Sequence, residues 1–330
     1  MPTFELSRRQ ALVAAGAGIA GALATRIAGP SPVLAHVPTK PAALANPAAF
    51  YNFMHGDVQI TMVSDGPLGL GDGRKLIKDA RIEDLTARLE AAFLPADSMV
   101  LQQNIPVLKI GGKTVIVDTG MGASKMFGDT TGRLVSNLKA AGVDPTTIDA
   151  VALSHCHPDH AGGLVDAQGK AVFPFAQVHV NEADYKFWTD EAKLSGDLKP
   201  FIEFARNSLM PYKDKLTFIK GGQDVVPGLQ AIDAPGHTVG HTIFMLTGGK
   251  TPLAITADCA HHHILFVEQP KYEFGYDTDS KQAVATRLKI WDMLATDRIA
   301  FLAYHFPWPG LGHLVKAGDG YRFIQSPVSL

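Results

Sequence analysis

The chain has 330 residues, of which 46% are hydrophobic and 19% are charged, and its formal net charge is −2 at pH 7. This length and apolar fraction allow one large buried core, and no charge run or Pro/Ser-rich linker divides the chain after residue 50. The near-neutral charge and the lack of a basic stripe argue against a nucleic-acid substrate.

The first 35 residues have the pattern of an export leader. Arg8 and Arg9 precede an apolar Ala/Gly-rich run at 11–24, and a small-residue cleavage site ends at Ala35. The run is too short for a membrane span. The paired arginines predict twin-arginine export to the periplasm or the medium, with a Sec signal or an uncleaved anchor as the alternatives. We therefore predict a leader at 1–35 and a single folded domain at 36–330.

The rest of the chain alternates between apolar runs typical of strands and longer amphipathic segments. Gly111-Gly112 separates two such runs and predicts a hairpin. The capping segment 278–280 opens a helix with Val284, Leu288 and Trp291 on its inward face. The other predicted helices lie at 134–141, 182–188 and 201–209, and the predicted strands at 57–63, 106–110, 114–117, 151–154, 216–219, 229–233, 242–247, 252–257, 299–304 and 321–325.

The most informative segment runs from His155 to His160 and reads His-Cys-His-Pro-Asp-His. It follows an apolar strand that ends at Leu153 and leads into Gly162-Gly163. Two histidines that are two residues apart at the end of a strand point to one side, and the turn at Pro158 lets the later ligands approach from another direction. Imidazole nitrogens and a carboxylate suit zinc or a similar divalent ion.

Three further ligand-type residues occur singly in the second half of the chain. His237, Asp258 and His305 each follow a predicted buried strand. Any one of them alone could equally be a structural polar residue. Together with the histidine-rich segment they predict a metal site built from several strand ends.

In this order the motifs resemble those of the metallo-β-lactamase superfamily: H-x-H-x-D-H with Gly-Gly, then G-H-T-x-G-H at 236–241, then an apolar strand ending in Asp, then a late His. Ser64-Asp65-Gly66 and the Val-Asp-Thr-Gly segment at 117–120 fit the same superfamily. The segment 305–313 resembles the methyl parathion hydrolase-like branch, as do shorter stretches at 277–281 and 320–323. The resemblance spans residues 53–324.

This resemblance implies an α/β (α+β) fold, a four-layer αβ/βα sandwich. It assigns His155, His157 and His237 to one metal site, Asp159, His160 and His305 to a second, and Asp258 to the bridge between them. Two divalent ions are implied, with zinc favoured and manganese, iron or cobalt also suited to the ligands. A hydroxide bridging the two ions would be the nucleophile, and Asp159 would also act as general base.

The function expected from these features is an exported binuclear hydrolase that acts on a carboxylic ester or lactone. An organophosphate triester hydrolase is the first alternative. A β-lactamase, a glyoxalase II-type thioesterase, a mononuclear iron dioxygenase acting on thiols, and a non-enzymatic metal-binding module are the others. His157 stands where flavodiiron oxidoreductases have an acidic residue, which favours hydrolysis. The partners expected are a small-molecule substrate and a second copy of the chain in a homodimer, with no membrane span.

Residues around the predicted centre have expected supporting roles. Ser154, His241 and His313 are expected to orient ligands through hydrogen bonds or to be structural. Cys156 and Cys259 read as two small buried residues, with a metal-bound or redox-linked pair as the alternative. The residues predicted to face the substrate, against the alternative that they belong to the core, are Leu68, Trp188, His263, Leu265 and Trp308.

Overall fold

The computed structural model describes residues 49–247 and 251–328, all within one compact unit. The predicted export leader at 1–35 and its boundary with the folded domain lie outside these residues and stay predictions. Among the described helices, none combines the length and the apolar character that crossing a lipid bilayer requires.

The described part of the chain consists of short strands with helices between them. The strands are β1 (Phe50–His55), β2 (Val58–Ser64), β3 (Leu68–Gly69), β4 (Val100–Leu101), β5 (Asn104–Ile110), β6 (Lys113–Val117), β7 (Ala150–Ala152), β8 (Gln177–Asn181), β9 (Leu216–Ile219), β10 (Asp224–Val226), β11 (Leu229–Asp233), β12 (Thr242–Leu246), β13 (Leu253–Ala257), β14 (Ala300–Ala303), β15 (Leu311–Ala317) and β16 (Gly320–Gln325). The α-helices are α1 (Ile82–Ala91), α2 (Leu134–Ala140), α3 (Pro158–Ala161), α4 (Glu182–Thr189), α5 (Lys199–Leu209), α6 (Leu265–Glu268) and α7 (Ser280–Thr296).

The strands form two seven-stranded sheets, the first from the earlier part of the described chain and the second from the later part. The first has the order β1-β2-β5-β6-β7-β8-β9 and the second β10-β11-β12-β13-β14-β15-β16, while β3 and β4 form a separate two-stranded ladder. Both large sheets are mixed. The strands from β6 to β9 pair in parallel, as do β13 and β14, and the other neighbours in the two sheets are antiparallel.

The alternation of side chains along each strand places a core on both faces of both sheets. In β6, Val115 and Val117 belong to the core between the sheets, whereas Ile116 faces the helices. In β12, Phe244 and Leu246 fill the same central core, whereas Ile243 faces the other helical layer. Helices α2 and α5 cover the first sheet, and α1, α6 and α7 cover the second. The predicted four-layer sandwich is therefore confirmed.

Helix α7 forms where the capping segment predicts it, because the Asp279 carboxylate accepts the backbone N–H of Gln282. Its inward face is rotated from the prediction: Trp291 is buried, but Val284 and Leu288 are only half-buried. The buried residues are Ser280, Ala283, Arg287, Ile290, Trp291 and Leu294. Because Arg287 is one of these buried residues, the inward face is not purely apolar, and the pattern of apolar residues alone placed that face wrongly.

Candidate metal centre

The seven predicted metal ligands come from four loops, each of which follows a strand. The loop after β7 carries four of them, at 155–160, and its last part becomes the short helix α3. His237 follows β11, Asp258 follows β13 and His305 follows β14. All seven side chains are buried or nearly so. The loops therefore bring together residues that are up to 150 positions apart in sequence.

The ligand-type atoms form four overlapping groups in which all the atoms lie within 4.8 Å of one another. The groups are His155/His157/His237, His155/His160/Asp258, Asp159/His160/His305 and His237/Asp258/His261. The first and third groups are the two metal sites that the sequence predicts. The structure therefore brings the predicted ligands together, and their assignment as ligands is part of the proposal below.

Asp258 lies at the centre of the cluster. Its Oδ2 is 3.3 Å from Nε2 of both His237 and His305 and 3.9 Å from Nε2 of His155. Its Oδ1 is 3.2 Å from Nε2 of His160. One carboxylate thus reaches histidines of both predicted sites, which is the arrangement that a bridging ligand requires.

Most of the histidines are held through Nδ1. His160 Nδ1 bonds the Asp118 carboxylate at 2.9 Å and His237 Nδ1 bonds Asp277 at 2.9 Å. His305 Nδ1 donates to the backbone carbonyl of Gln102 at 2.8 Å. His155 Nδ1 lies 3.0 Å from the Ser154 hydroxyl, as predicted for that serine. A partner on Nδ1 fixes the ring orientation and leaves the Nε2 lone pair for a metal.

The polar atoms at the centre of this cluster fit a pair of metal ions. The Nε2 atoms of His155, His160 and His237 and the Oδ1 atom of Asp258 are fully buried, yet no hydrogen bond satisfies them. Leaving a buried donor or acceptor unpaired costs about 1–3 kcal/mol each. Four such atoms in one cluster form a donor set that a metal centre could use, and nitrogen and oxygen donors suit zinc.

The electrostatics of the cluster follow from its mixture of carboxylates and imidazoles. Burial lowers the pKa of His155 well below its ordinary value, and the neighbouring histidines add to this effect. Burial also opposes charge on His237, but the nearby carboxylates of Asp258 and Asp277 outweigh it and raise the pKa of His237 to about 9. Burial raises the pKa of Asp258, but the surrounding histidines, led by His160, hold it well below its usual value. The carboxylates at the centre therefore favour positive charge beside them.

Strained backbone occurs next to two of these side chains. Asp118 has φ 64° and Ala257, directly before Asp258, has φ 41°. Non-glycine residues rarely adopt such angles, and they persist where the surrounding structure requires them. The strained Asp118 accepts hydrogen bonds from the Ser154 backbone N–H and from its hydroxyl, both at 2.8 Å. The turn at Ala257 directs Asp258 towards the histidines.

A cavity opens directly over the cluster. Its polar floor consists of His157, Asp159, His237, Asp258 and His305 together with His261. The rest of its wall is apolar and aromatic: Leu68, Leu70, Leu101, Phe127, Pro158, Phe201, Phe274 and Tyr276. A polar floor under an apolar wall is typical of small-molecule sites.

The residues predicted to face the substrate are distributed differently. Leu68 lines the cavity over the cluster. Trp188 is buried in the helix-facing core with its ring 4.8 Å from that of His157, and Leu265 is fully buried under α1 and α7. Trp308 packs beside the core between the sheets. His263 lines a second cavity next to α1, which shares His305 with the first. Their contacts with a substrate stay predictions.

His261 joins the centre although it lies outside the predicted set of seven ligands. Its Nε2 lies 3.0 Å from Asp258 Oδ2, and its ring stacks on that of His305 with centroids 5.4 Å apart. The sequence feature that could have indicated this role is the position of His261, three residues after Asp258. The two cysteines, Cys156 and Cys259, are both buried and free.

Comparisons with known proteins agree with this geometry. A sequence model of the metallo-beta-lactamase superfamily matches residues 99–300, more than half of the chain. An N-acyl homoserine lactonase from a Bacillus species is 29% identical over 161 residues, which is 48% of this chain and 56% of that relative. The match therefore spans only about half of the relative's length.

Two solved structures cover nearly the whole described domain. A dizinc quorum-quenching lactonase, AidC, in complex with its product N-hexanoyl-L-homoserine, has a TM-score of 0.80 and 28% identity, and the match covers 86% of this chain and 99% of AidC. The hydrolase AbOPH of the beta lactamase superfamily has a TM-score of 0.79 and 29% identity, with the same coverage. The methyl parathion hydrolase-like branch stays a prediction.

Proposed function

The chain belongs to the metallo-β-lactamase superfamily, and on this premise we propose that it is a binuclear metal-dependent hydrolase that opens lactones or cleaves carboxylic esters. The observation that carries the proposal is the clustering of seven histidine and aspartate side chains in overlapping groups, in which the buried Nε2 atoms of His155, His160 and His237 have no hydrogen-bond partner. His155, His157 and His237 would hold one ion and Asp159, His160 and His305 the other, with Asp258 shared. Zinc is the proposed metal, as in the dizinc lactonase that the chain resembles.

Two bound divalent ions would supply Lewis-acid polarisation of the scissile carbonyl and an activated water near neutral pH. Hydrolysis adds one water across the lactone C–O bond, so the leaving alkoxide must gain a proton. Asp159 lines the cavity, and its Oδ2 lies 3.4 Å from Nε2 of both His160 and His305. Burial raises the pKa of this carboxylate, but the neighbouring histidines, led by His160, outweigh burial and hold the pKa below its usual value, so Asp159 is ionised and can pass a proton from the water to the leaving oxygen.

The cavity wall supports a substrate with an apolar substituent. Leu68, Leu70, Phe127, Phe201 and Phe274 surround the polar floor and would exclude water from the acyl side of a substrate. Two of the relatives named above, the Bacillus enzyme and AidC, are lactonases, the first of N-acyl homoserine lactones and the second with N-hexanoyl-L-homoserine as a product, and N-acyl homoserine lactones join a lactone ring to an apolar acyl chain. We therefore propose N-acyl lactones as the first substrates to test.

The test is a substrate screen on purified full-length protein whose zinc content has been measured. The panel contains N-acyl homoserine lactones of increasing chain length, an aryl ester, an aryl phosphotriester, a cephalosporin and a glutathione thioester. We expect about two zinc ions per chain and the highest kcat/KM for a lactone or ester. A tenfold preference for another class, about 1.4 kcal/mol in barrier height, would overturn the substrate assignment.

We also propose that the protein is exported by the twin-arginine route, because Arg8 and Arg9 precede an apolar run. Changing both arginines to lysine should retain the protein in the cytoplasm with its leader uncleaved. Fractionation that finds the variant outside the cytoplasm would contradict this route. The homodimer expected from the resemblance stays a prediction.

A further inference from the structure

Asp184 is a fully buried carboxylate in the first turn of α4, outside the predicted ligand set. Its Oδ2 accepts the backbone N–H of Cys156 at 2.8 Å, and its Oδ1 accepts the backbone N–H of Gly240 at 3.0 Å. Burial raises the pKa of Asp184, and the Thr238 side chain, followed by the two backbone donors and the Cys156 side chain, opposes that rise. Burying a carboxylate is costly, so these two hydrogen bonds need an explanation.

The two backbone groups belong to the segments that carry one predicted metal site. Cys156 lies between His155 and His157, and Gly240 lies three residues after His237 in the loop that follows β11. One carboxylate therefore joins the segments of all three histidines of the group His155/His157/His237. Together with the hydrogen bond from the Thr242 backbone N–H to the Ser154 carbonyl at 2.9 Å, this connection holds the two loops against each other.

The approach of α4 to this loop requires glycine at position 240. A Cβ atom there would lie 2.6 Å from the backbone nitrogen of Asp184 and 2.8 Å from its Cβ. Such contacts are too short for any side chain, so the second glycine of the G-H-T-x-G-H motif is explained by contact with Asp184. The helix and the loop are thus fitted to each other at this carboxylate.

A different carboxylate supports the second group. Asp118 accepts a hydrogen bond from His160 Nδ1, and His160 belongs to the group Asp159/His160/His305. We propose that Asp184 is a positioning residue for the metal site formed by His155, His157 and His237, and that its loss weakens metal binding there while sparing the other site. This inference rests on the binuclear centre proposed above.

Asp184→Asn is the most informative variant, because it keeps the size of the side chain and changes only its charge and hydrogen bonding. An amide has one acceptor oxygen, so its NH2 group would face one of the two backbone N–H donors and leave that donor unpaired. Loss of a partner outside the ligand set typically lowers metal affinity by about 10–100-fold. We expect a loss of that size at one site.

The two sites can be measured separately on the full chain. His305→Ala leaves the first site complete, and His157→Ala leaves the second. Zinc affinity is measured by competition with a chelator, in each background, with and without Asp184→Asn. The exposed Asp214→Asn is the matched control, since it removes the same charge at the surface. We expect about a 10–100-fold loss of affinity in the His305→Ala background and a change within about twofold in the His157→Ala background.

The outcomes separate this inference from the proposed function. A wild-type protein that binds fewer than two zinc ions would refute the binuclear centre. Two ions with equal losses in both backgrounds, or with no loss, would refute only the role of Asp184. If Asp184→Asn does not fold, Asp184→Ala is used, because it places no amide against the donors. If neither variant folds by circular dichroism, Asp184 is a general requirement of the fold and the inference fails.

Discussion

Arg287 is the buried side chain on α7 that should matter most for stability. It is 1% exposed, and its guanidinium donates to the backbone carbonyls of Cys259, Pro270 and Tyr272 at 2.7–2.8 Å. Its charged group also lies 4.8 Å from the centre of the Phe266 ring. It therefore fixes the segment that runs from the residue after Asp258 to the wall of the cavity.

Arg287→Met keeps much of the volume but leaves three carbonyls without a donor. Each unsatisfied buried group costs about 1–3 kcal/mol, and relief of the buried charge offsets part of the total. We expect the free energy of unfolding to fall by about 3–5 kcal/mol, a size known for breaking buried charge interactions. At about 2–4 °C per kcal/mol, the midpoint of thermal unfolding should fall by roughly 6–20 °C.

The measurement is denaturant or thermal unfolding of the metal-free protein, so that metal binding does not contribute. Arg287→Lys is the control: it keeps the charge but concentrates its donors at one point, so it should recover only part of the loss. A methionine variant within about 0.5 kcal/mol of the wild type, the range of ordinary surface substitutions, would refute the reasoning.

Four further predictions concern the metal centre. Asp258→Ala should reduce the zinc content from two ions to one and lower kcat at least about 100-fold, because it removes the shared carboxylate; elemental analysis that still finds two ions would contradict the bridge. Asp277→Ala, which frees Nδ1 of His237, should weaken zinc binding about 10–100-fold in a chelator competition, and unchanged affinity would contradict that role. Removing the metal with a chelator should abolish turnover and lower the unfolding midpoint, since ligand at 100 times its Kd contributes about 2.7 kcal/mol; restoration by added zinc is the control. His261→Ala should lower kcat/KM for a lactone about tenfold or more, because His261 lines the cavity over the cluster; an unchanged value together with a loss in His263→Ala would mean that the substrate uses the second cavity.

Much of the fold follows from the apolar runs in the sequence, because the central strands of both sheets are buried on both faces. The runs at Val115–Val117 and at 242–246 gave no alternation of polarity, since both faces are apolar. Their β-branched and aromatic residues still indicated strands. Helix α1 was not predicted: it buries only Leu85 and Leu89, and no side chain caps its first turn. A helix with so few buried residues is stabilised by packing against the rest of the protein, and local sequence signals do not predict it.

The family resemblance identifies the seven ligand-type residues, and their places after strands indicate that they could lie close together. The supporting residues could not be predicted in the same way. Asp184 and Arg287 act through backbone groups of distant segments, and a backbone N–H or carbonyl leaves no trace in the sequence. Nothing in the residues around Asp184 distinguishes it from an ordinary acidic residue in the first turn of a helix, where such residues are common.

Three consecutive histidines occupy positions 261–263, and the sequence alone does not indicate which of them faces the metal centre. Backbone contacts determine this. The turn after Asp258 returns His261 to the carboxylate, with 3.0 Å between Nε2 and Oδ2. His262 is directed elsewhere because its Nδ1 accepts the backbone N–H groups of Ile264 and Leu265 at the start of α6. His263 stacks on His262 with centroids 4.9 Å apart, and both line the second cavity. Because the His262 imidazole is held by these backbone N–H groups, it does not reach the metal centre, and the start of α6 leaves His261 as the histidine of the three that lines the cavity over the cluster.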